Sequence, residues 1–366
     1  MGLSDLPLRA ELRGEVPYGA PQLDVPVRLN VNENPYPPPP ALVDDVTLAV
    51  AEAARTMNRY PDREAEELRR DLGGYLGRRE GHALPPERVW AANGSNEVML
   101  QLLQAFGGPG RRALGFAPTY SMYPEYCRDS FTTWVTAPRA DDFTLSPAAA
   151  VAAVRKHEPT VALIASPNNP TGTALSLDVV DAVCAASAGI VVVDEAYGEF
   201  RRPGTPSALD LLDRHPRLVV TRTMSKAFAM AGARLGYAAA STDIVNALRI
   251  VRLPYHLSVI TQAVARAALR HADALLAQVD VVRAERDSLV AWLRDRGHDA
   301  ADTDANFVLF GRFADRHAVW QGLLDEGVLI REVGPPGWLR VSVGTPEENA
   351  AFRAALDVVM EEVGPR

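Results

Sequence analysis

Along the middle of the chain, short apolar runs alternate with polar or glycine-bearing turns and with stretches whose apolar positions recur at helical spacing. The runs Arg88–Ala92, Ala113–Phe116, Val161–Ala165, Ile190–Val193 and Leu218–Thr221 are continuous rather than alternating. Each therefore predicts a strand covered on both faces, and the segments between them, such as Val98–Phe106, predict helices. Buried strands separated by helices form a mostly parallel sheet with helices on either side. In such a sheet ligands collect beyond the carboxyl ends of the strands. Every run here ends in a polar cluster: Asn93 to Glu97, Pro118 to Tyr120, Ser166 to Gly172, Asp194 to Tyr197, and Thr223 to Lys226. The pattern predicts one site assembled from several strand ends.

After Gly236 the pattern changes. Val259–Arg296 reads as a long helical stretch interrupted near His271 to Asp273. Strand-like Phe307–Phe310, helical Ala314–Glu326, strand-like Val328–Ile330 and Leu339–Val343, and a last helix follow. That helix opens with Thr345 at its N-cap, Pro346 in the first turn and Glu348 placed for a capping box. The segment Pro35–Pro40, rich in proline, is expected to be extended and to cross between domains. The predicted organisation is an arm over residues 1–40 that joins a smaller domain, a large domain over 41–245, and a smaller α+β domain over 246–366. The helical stretch near 259–296 lies between the two domains.

Composition narrows the function classes. A chain of 366 residues is long enough for two unequal domains. Its net charge of −8 argues against a nucleic-acid or anionic-membrane surface, so any anion site is built locally. The two cysteines, Cys127 and Cys184, are too few for a metal cluster and predict no disulfide framework, and Cys184 lies in an apolar run that predicts core packing. No apolar run reaches the roughly 20 residues that span a bilayer, and the first thirty residues hold no apolar stretch of signal-peptide length. A cytoplasmic protein without a membrane or nucleic-acid partner is expected.

The strand-end clusters carry the groups that a cofactor with an aldehyde, a pyridine ring and a phosphate requires. The aldehyde needs a lysine, and the chain has only two, Lys156 and Lys226. Lys156 lies in the polar run Arg155 to Glu158 and reads as a solvated helix end. Lys226 follows a buried strand and stands before Ala227, Phe228 and Ala229, where desolvation favours a neutral, nucleophilic amine. Asp194 ends the run Ile190–Val193, where a buried carboxylate needs a partner such as a protonated ring nitrogen. It serves equally well as a cap of the next helix. Asn169 and Tyr197 can donate to a phenolic oxygen, although Asn-Pro-Thr-Gly is also an ordinary turn. Ser95 and Asn96 open a helix, Thr223 and Ser225 offer hydroxyls and Arg234 a guanidinium, together a phosphate site. Tyr120 could stack on a ring or simply pack.

On these residues the chain resembles the pyridoxal-phosphate (PLP)-dependent aminotransferases of fold type I. With Pro17 to Pro21, Leu29 to Pro35, Asn58 to Asp62 and Trp338 to Thr345, it is most similar to the actinobacterial histidinol-phosphate aminotransferases. The resemblance implies a large domain with a mostly parallel sheet covered by helices and a smaller α+β domain. It implies PLP held as a Schiff base on Lys226, with Asp194 on the ring nitrogen and Asn169 and Tyr197 on the phenolic oxygen. Tyr120 would stack on the ring, and Ser95, Asn96, Thr223, Ser225 and Arg234 would hold the phosphate. Tyr60 would reach the cofactor phosphate of a partner subunit, so a homodimer is implied. Arg340, with Arg331, Tyr18 and Asn32, would take the anionic end of a substrate. The implied reaction is L-histidinol phosphate plus 2-oxoglutarate to imidazole acetol phosphate plus L-glutamate, in histidine biosynthesis. Alternatives on the same scaffold are an aromatic or specialised-metabolism aminotransferase and a PLP-dependent decarboxylase of phosphorylated amino acids. A non-catalytic regulator is not expected, since such proteins usually carry a DNA-binding helix-turn-helix domain, for which the residues before Tyr18 leave no room, and the set of chemical residues is intact.

Overall fold

The protein is described by a computed structural model covering residue 2 and residues 5–363. The extreme ends of the expected arm and of the expected C-terminal domain, residues 1, 3, 4 and 364–366, lie outside the described residues. The strands in chain order are β1 (Val27–Arg28), β2 (Val89–Ala92), β3 (Arg112–Ala117), β4 (Thr133–Pro138), β5 (Val161–Ala165), β6 (Ile190–Asp194), β7 (Leu218–Thr223) and β8 (Gly236–Ala239). They continue with β9 (Asp299–Ala300), β10 (Phe307–Gly311), β11 (Val328–Leu329) and β12 (Trp338–Ser342).

Seven strands form the central sheet in the order β2-β8-β7-β6-β5-β3-β4. β8 alone runs against its neighbours β2 and β7, and the remaining pairings are parallel. The continuous apolar runs are explained by two cores. Val191 and Val193 of β6 pack in one, while Ile190 and Val192 pack in the other. Ala162 and Ile164 of β5 oppose Val161 and Leu163 in the same way. Both faces of the sheet are covered by helices, as the pattern predicts.

Two strands of this sheet escape the apolar pattern. β4 is an edge strand whose residues are partly or fully exposed, so its sequence carries polar positions. β8 is only Gly-Tyr-Ala-Ala, and it begins at Gly236, where the apolar pattern changes. The proline segment is likewise shorter than expected. Pro40 is not extended but is the first residue of the helix Pro40–Ala54, where an amide hydrogen would have no intrahelical partner to lose.

The C-terminal part packs β12-β10-β9 as a small antiparallel sheet. The long helical stretch is split at His271 into Val259–Arg270 and Ala272–Asp295. The last helix, Pro346–Val363, carries the expected capping box: Thr345 Oγ1 accepts from the Glu348 amide at 3.3 Å and Glu348 Oε2 from the Thr345 amide at 2.8 Å. β1 pairs in parallel with β11, Val27 opposite Val328. This pairing carries the next residues, Asn30 to Asn32, to the carboxyl edge of the large sheet. The helix Thr242–Val251 runs through residue 245, and its Ile244, Val245 and Leu248 share a core with Val98 and Leu102. Both cysteines are free and buried. Among the described residues no helix is long and apolar enough to cross a membrane, and no group of three or more side chains is gathered that could hold a metal ion.

Candidate active site

Because β8 is antiparallel to both neighbours, it leaves β2 running in the same direction as β7, β6, β5 and β3. Their carboxyl ends therefore lie along one edge, and the loops beyond them enclose a cavity of about 490 Å³. Lys226, Asp194, Tyr197, Asn169, Tyr120, Ser95, Asn96, Thr223, Ser225 and Arg234 line it from the large sheet. Tyr18 and Asn32 line it from the N-terminal arm, and Arg331 and Arg340 from the C-terminal part. Tyr60 is the one expected residue the fold does not bring there. It is 80% exposed, and its ring stacks on Tyr255 at 4.4 Å.

Lys226 stands in the turn after β7, anchored by the buried side chains of Met224, Ala227 and Phe228. Its Nζ donates to the carbonyl of Val31 at 3.1 Å. Burial pushes the ammonium down to about 8; Arg340 and Arg234 reinforce this and Glu33 opposes it. The amine is thereby a better nucleophile near neutral pH than a solvated lysine.

Asp194 closes β6 and is 6% exposed. Its Oδ1 accepts from Thr221 Oγ1 at 3.1 Å and from the Ala196 amide at 3.3 Å, and its Oδ2 accepts from the Tyr123 phenol at 3.1 Å. Burial pushes the carboxyl up to about 6, and the three donors pull the other way without cancelling it. Asp194 makes no ion pair among the described residues. The sheet register sets Thr221 directly beside it.

The helix Ser95–Phe106 begins at the cavity, so its first amides have no carbonyl one turn earlier and face outward. Gly94 has φ of +86°, and a Cβ there would come within 2.7 Å of Arg234 Nη2. A Cβ on Gly236 would run into the amide nitrogen of Ser95. These two glycines let a guanidinium and a helix start meet at one point. Thr223 and Ser225 add hydroxyls, with Arg234 Nη1 3.5 Å from Ser225 Oγ.

On the other elements, Arg340 is 6% exposed and forks between Asn169 Oδ1 at 2.6 Å and the Asn30 carbonyl at 2.9 Å. Its buried Nε has no partner among the described residues, and burial pushes the guanidinium down to about 10. Arg331 pairs its backbone with Arg340 and donates a side-chain bond to the Gly19 carbonyl at 3.1 Å. Asn32, at φ +56°, donates its Nδ2 to the Tyr197 hydroxyl at 3.1 Å. Tyr18 and Ser121 share a hydroxyl hydrogen bond of 2.7 Å.

Several contributors were not foreseen. Thr221 could have been found from period-two alternation with Thr223 along β7. Tyr123 and the carbonyls of Asn30 and Val31 leave no signal in the chain, since they act through tertiary contact or backbone. Behind the same strand ends, Arg222 is buried against Glu195 and Glu199, at 2.5 and 3.0 Å.

Residues 25–356 match the family model "Aminotransferase class I and II". The chain belongs to that family. Among its aminotransferase relatives, the histidinol-phosphate aminotransferase of Thermobifida fusca (strain YX) is 64% identical over 354 residues, covering 97% of this chain and 95% of that protein. Histidinol-phosphate aminotransferase 3 of Burkholderia lata is 61% identical over 360 residues, with 98% and 97% covered. Among solved structures, the histidinol-phosphate aminotransferase of Sinorhizobium meliloti in complex with pyridoxal-5'-phosphate is similar with a TM-score of 0.83 at 26% identity, covering 93% of this chain and 92% of that one.

Proposed function

We propose that this aminotransferase uses pyridoxal phosphate on Lys226 to exchange an amino group between L-histidinol phosphate and 2-oxoglutarate, giving imidazole acetol phosphate and L-glutamate in histidine biosynthesis. The observation that carries the reading is the convergence of the Lys226 amine, the Asp194 carboxylate and the Arg340 guanidinium on one cavity. The donor set suits the cofactor. A helix start, two hydroxyls and Arg234 meet where a phosphate would bind, and the glycines at 94 and 236 keep that spot clear.

When bound, the cofactor supplies an aldehyde that condenses with amines and a ring that takes up the electron pair left by a departing α-proton. The chain supplies the rest. Lys226, with about a tenth of its amine neutral at pH 7 given a pKa near 8, holds the cofactor and then moves the proton from the substrate's α-carbon. Asp194, ionised above pH 6 or so, keeps a proton on the ring nitrogen. Asn169 has its Oδ1 engaged by Arg340, which leaves Nδ2 to donate to the phenolic oxygen. Tyr197 accepts from Asn32, which leaves its own proton to donate there too. Tyr120 stacks on the ring, and Ser95, Asn96, Thr223, Ser225 and Arg234 hold the phosphate.

Both substrates are anions with an amine or keto group, and a guanidinium fork suits either a carboxylate or a phosphate. Arg340, helped by Arg331, Tyr18 and Asn32, takes that end, and the names of the relatives support histidinol phosphate. The test is glutamate formation from L-histidinol phosphate and 2-oxoglutarate, beside phenylalanine and tyrosine as donors. Arg340→Ala is expected to raise KM for both substrates about a hundredfold, the loss of two charge-assisted hydrogen bonds. Faster turnover of phenylalanine or tyrosine than of histidinol phosphate would reject the substrate while leaving the aminotransferase.

We further take the enzyme to be a cytoplasmic homodimer in which the exposed Tyr60 reaches the partner's cofactor phosphate. With this goes the division into an arm, a large domain extended to the end of the helix Thr242–Val251, and a smaller domain. Mixing Tyr60→Ala chains with Lys226→Ala chains should yield hybrids with one intact site, so the mixture exceeds the mean activity of its parents. No gain over that mean would show that each chain builds its site alone.

A further inference from the structure

We propose that Tyr123 is a positioning residue that holds Asp194 ionised and aimed at the cavity while fixing the ring of Tyr120 beside it. Tyr123 is the second residue of the helix Met122–Asp129 and is fully buried. It is absent from the cavity wall, so it touches neither substrate nor cofactor. Its phenol donates to Asp194 Oδ2 at 3.1 Å. The same ring meets Tyr120 edge-on, with centroids 5.6 Å apart and planes at 87°, and is backed by Trp134 of β4 at 6.1 Å. One side chain therefore touches both the carboxylate proposed to hold the ring nitrogen and the aromatic proposed to stack on the ring.

The chemistry of the pair follows from what each group can do. An ionised carboxylate only accepts hydrogen bonds, and Asp194 receives three, from Thr221, Ala196 and Tyr123. Were Asp194 to take up a proton, its own O–H would compete with these donors, and the Ala196 amide cannot turn to accept. The three donors thus favour the charged form in a site that has no paired cation among the described residues. The titratable groups around the carboxylate are the phenols of Tyr120, Tyr123, Tyr126 and Tyr197 and the neighbouring Glu195. The phenols are all raised by burial and stay neutral near pH 7. Glu195 is held on the other side by Arg222. Tyr123 and Thr221 are therefore the side chains that set the charge of Asp194, and only Tyr123 also supports Tyr120.

The role toward the cofactor rests on the reading of the site as a PLP site, but the pairing itself can be tested without the cofactor. Tyr123→Phe keeps the ring and its edge contact and removes only the donor. Urea unfolding of the cofactor-free chain between pH 4 and 8 should show the Asp194-dependent change in stability moved upward by about one pH unit in Tyr123→Phe. In an Asp194→Asn background the same substitution should produce no pH-dependent difference, as a double-mutant cycle requires when two groups are coupled. PLP affinity should fall about tenfold on Tyr123→Phe, the equivalent of one lost hydrogen bond to a charge, and only where Asp194 is present. A loss of stability equal at pH 4 and pH 8 and equal in both backgrounds would overturn the proposal and reduce Tyr123 to packing. If the pH shift is seen but PLP does not bind the wild-type chain, the pairing stands and the cofactor reading falls.

Discussion

Replacing Lys226 with alanine lowers turnover by about four orders of magnitude or more while the fold is kept. A positioned acid–base group contributes about 10²–10⁴ to a rate, and the same amine is also the proposed covalent anchor of the cofactor. No other residue can take its place. Lys156 is exposed at the end of the helix Pro147–His157, and it is the only other lysine of the chain. Lys226→Arg should be equally inactive, since a guanidinium stays protonated at every working pH and cannot act as a nucleophile or a base. Circular dichroism and the urea midpoint of the alanine variant are expected to match or exceed those of the wild type, because the substitution removes a largely charged amine from a partly buried position. Single-turnover assays of glutamate formation, together with these stability measurements, separate a lost amine from a lost fold.

Replacing Asp194 with asparagine has two opposite effects. Turnover is expected to fall about a thousandfold, because a neutral amide could not hold a proton on the ring nitrogen in the proposed pairing, and breaking a buried charged pair removes about 2–5 kcal/mol. The cofactor-free chain, in contrast, becomes more stable at neutral pH. The folded carboxyl is raised from its ordinary 3.8 to about 6. A raised acid contributes stability that is present below the unfolded value and lost as pH climbs through the folded one. Above pH 6 the wild type therefore carries an ionised, buried carboxylate, a burden of about 3 kcal/mol at most by the usual conversion. Asparagine does not titrate, so the gain of the variant over the wild type should grow between pH 4 and 6 and then level off. Lys226 works in the other direction. Its amine is lowered from 10.5 to about 8, so its contribution is present at high pH and lost as pH falls through 8. Between the two values both groups are charged and, among the described residues, without an ionic partner, and the cofactor-free enzyme should be at its least stable there. Urea unfolding across this range checks the prediction. A variant whose advantage does not change with pH would mean that the carboxyl of Asp194 titrates as it does in water.

The large sheet and most of its site were legible because they follow from local order. A continuous apolar run marks a doubly covered strand, and its polar end marks the edge where ligands gather. That logic reached Asp194, Asn169 and Lys226 without knowledge of how the strands are ordered. It did not reach β4, whose edge position allows polar residues, nor β8, whose four residues, Gly-Tyr-Ala-Ala, give too short a signal. The residues that complete the site arrive by long-range contact. Asn30 to Asn32 reach Arg340, Lys226 and Tyr197 only because β1 pairs with β11, some three hundred residues away in the chain. Tyr123 meets Asp194 across 71 positions, and no spacing rule anticipates such a pair. Tyr60 was named from resemblance, and its exposed position in a single chain leaves its role to the dimer experiment.

The proposed covalent link between Lys226 and the cofactor is direct to measure, because the chain holds only one other lysine. The purified chain is incubated with PLP, reduced with borohydride, digested and examined by mass spectrometry. The predicted result is a reduced pyridoxyl phosphate group on the peptide that carries Lys226 and on no other, lost when L-histidinol phosphate is added before reduction. A label on Lys156, or no label at all, contradicts it.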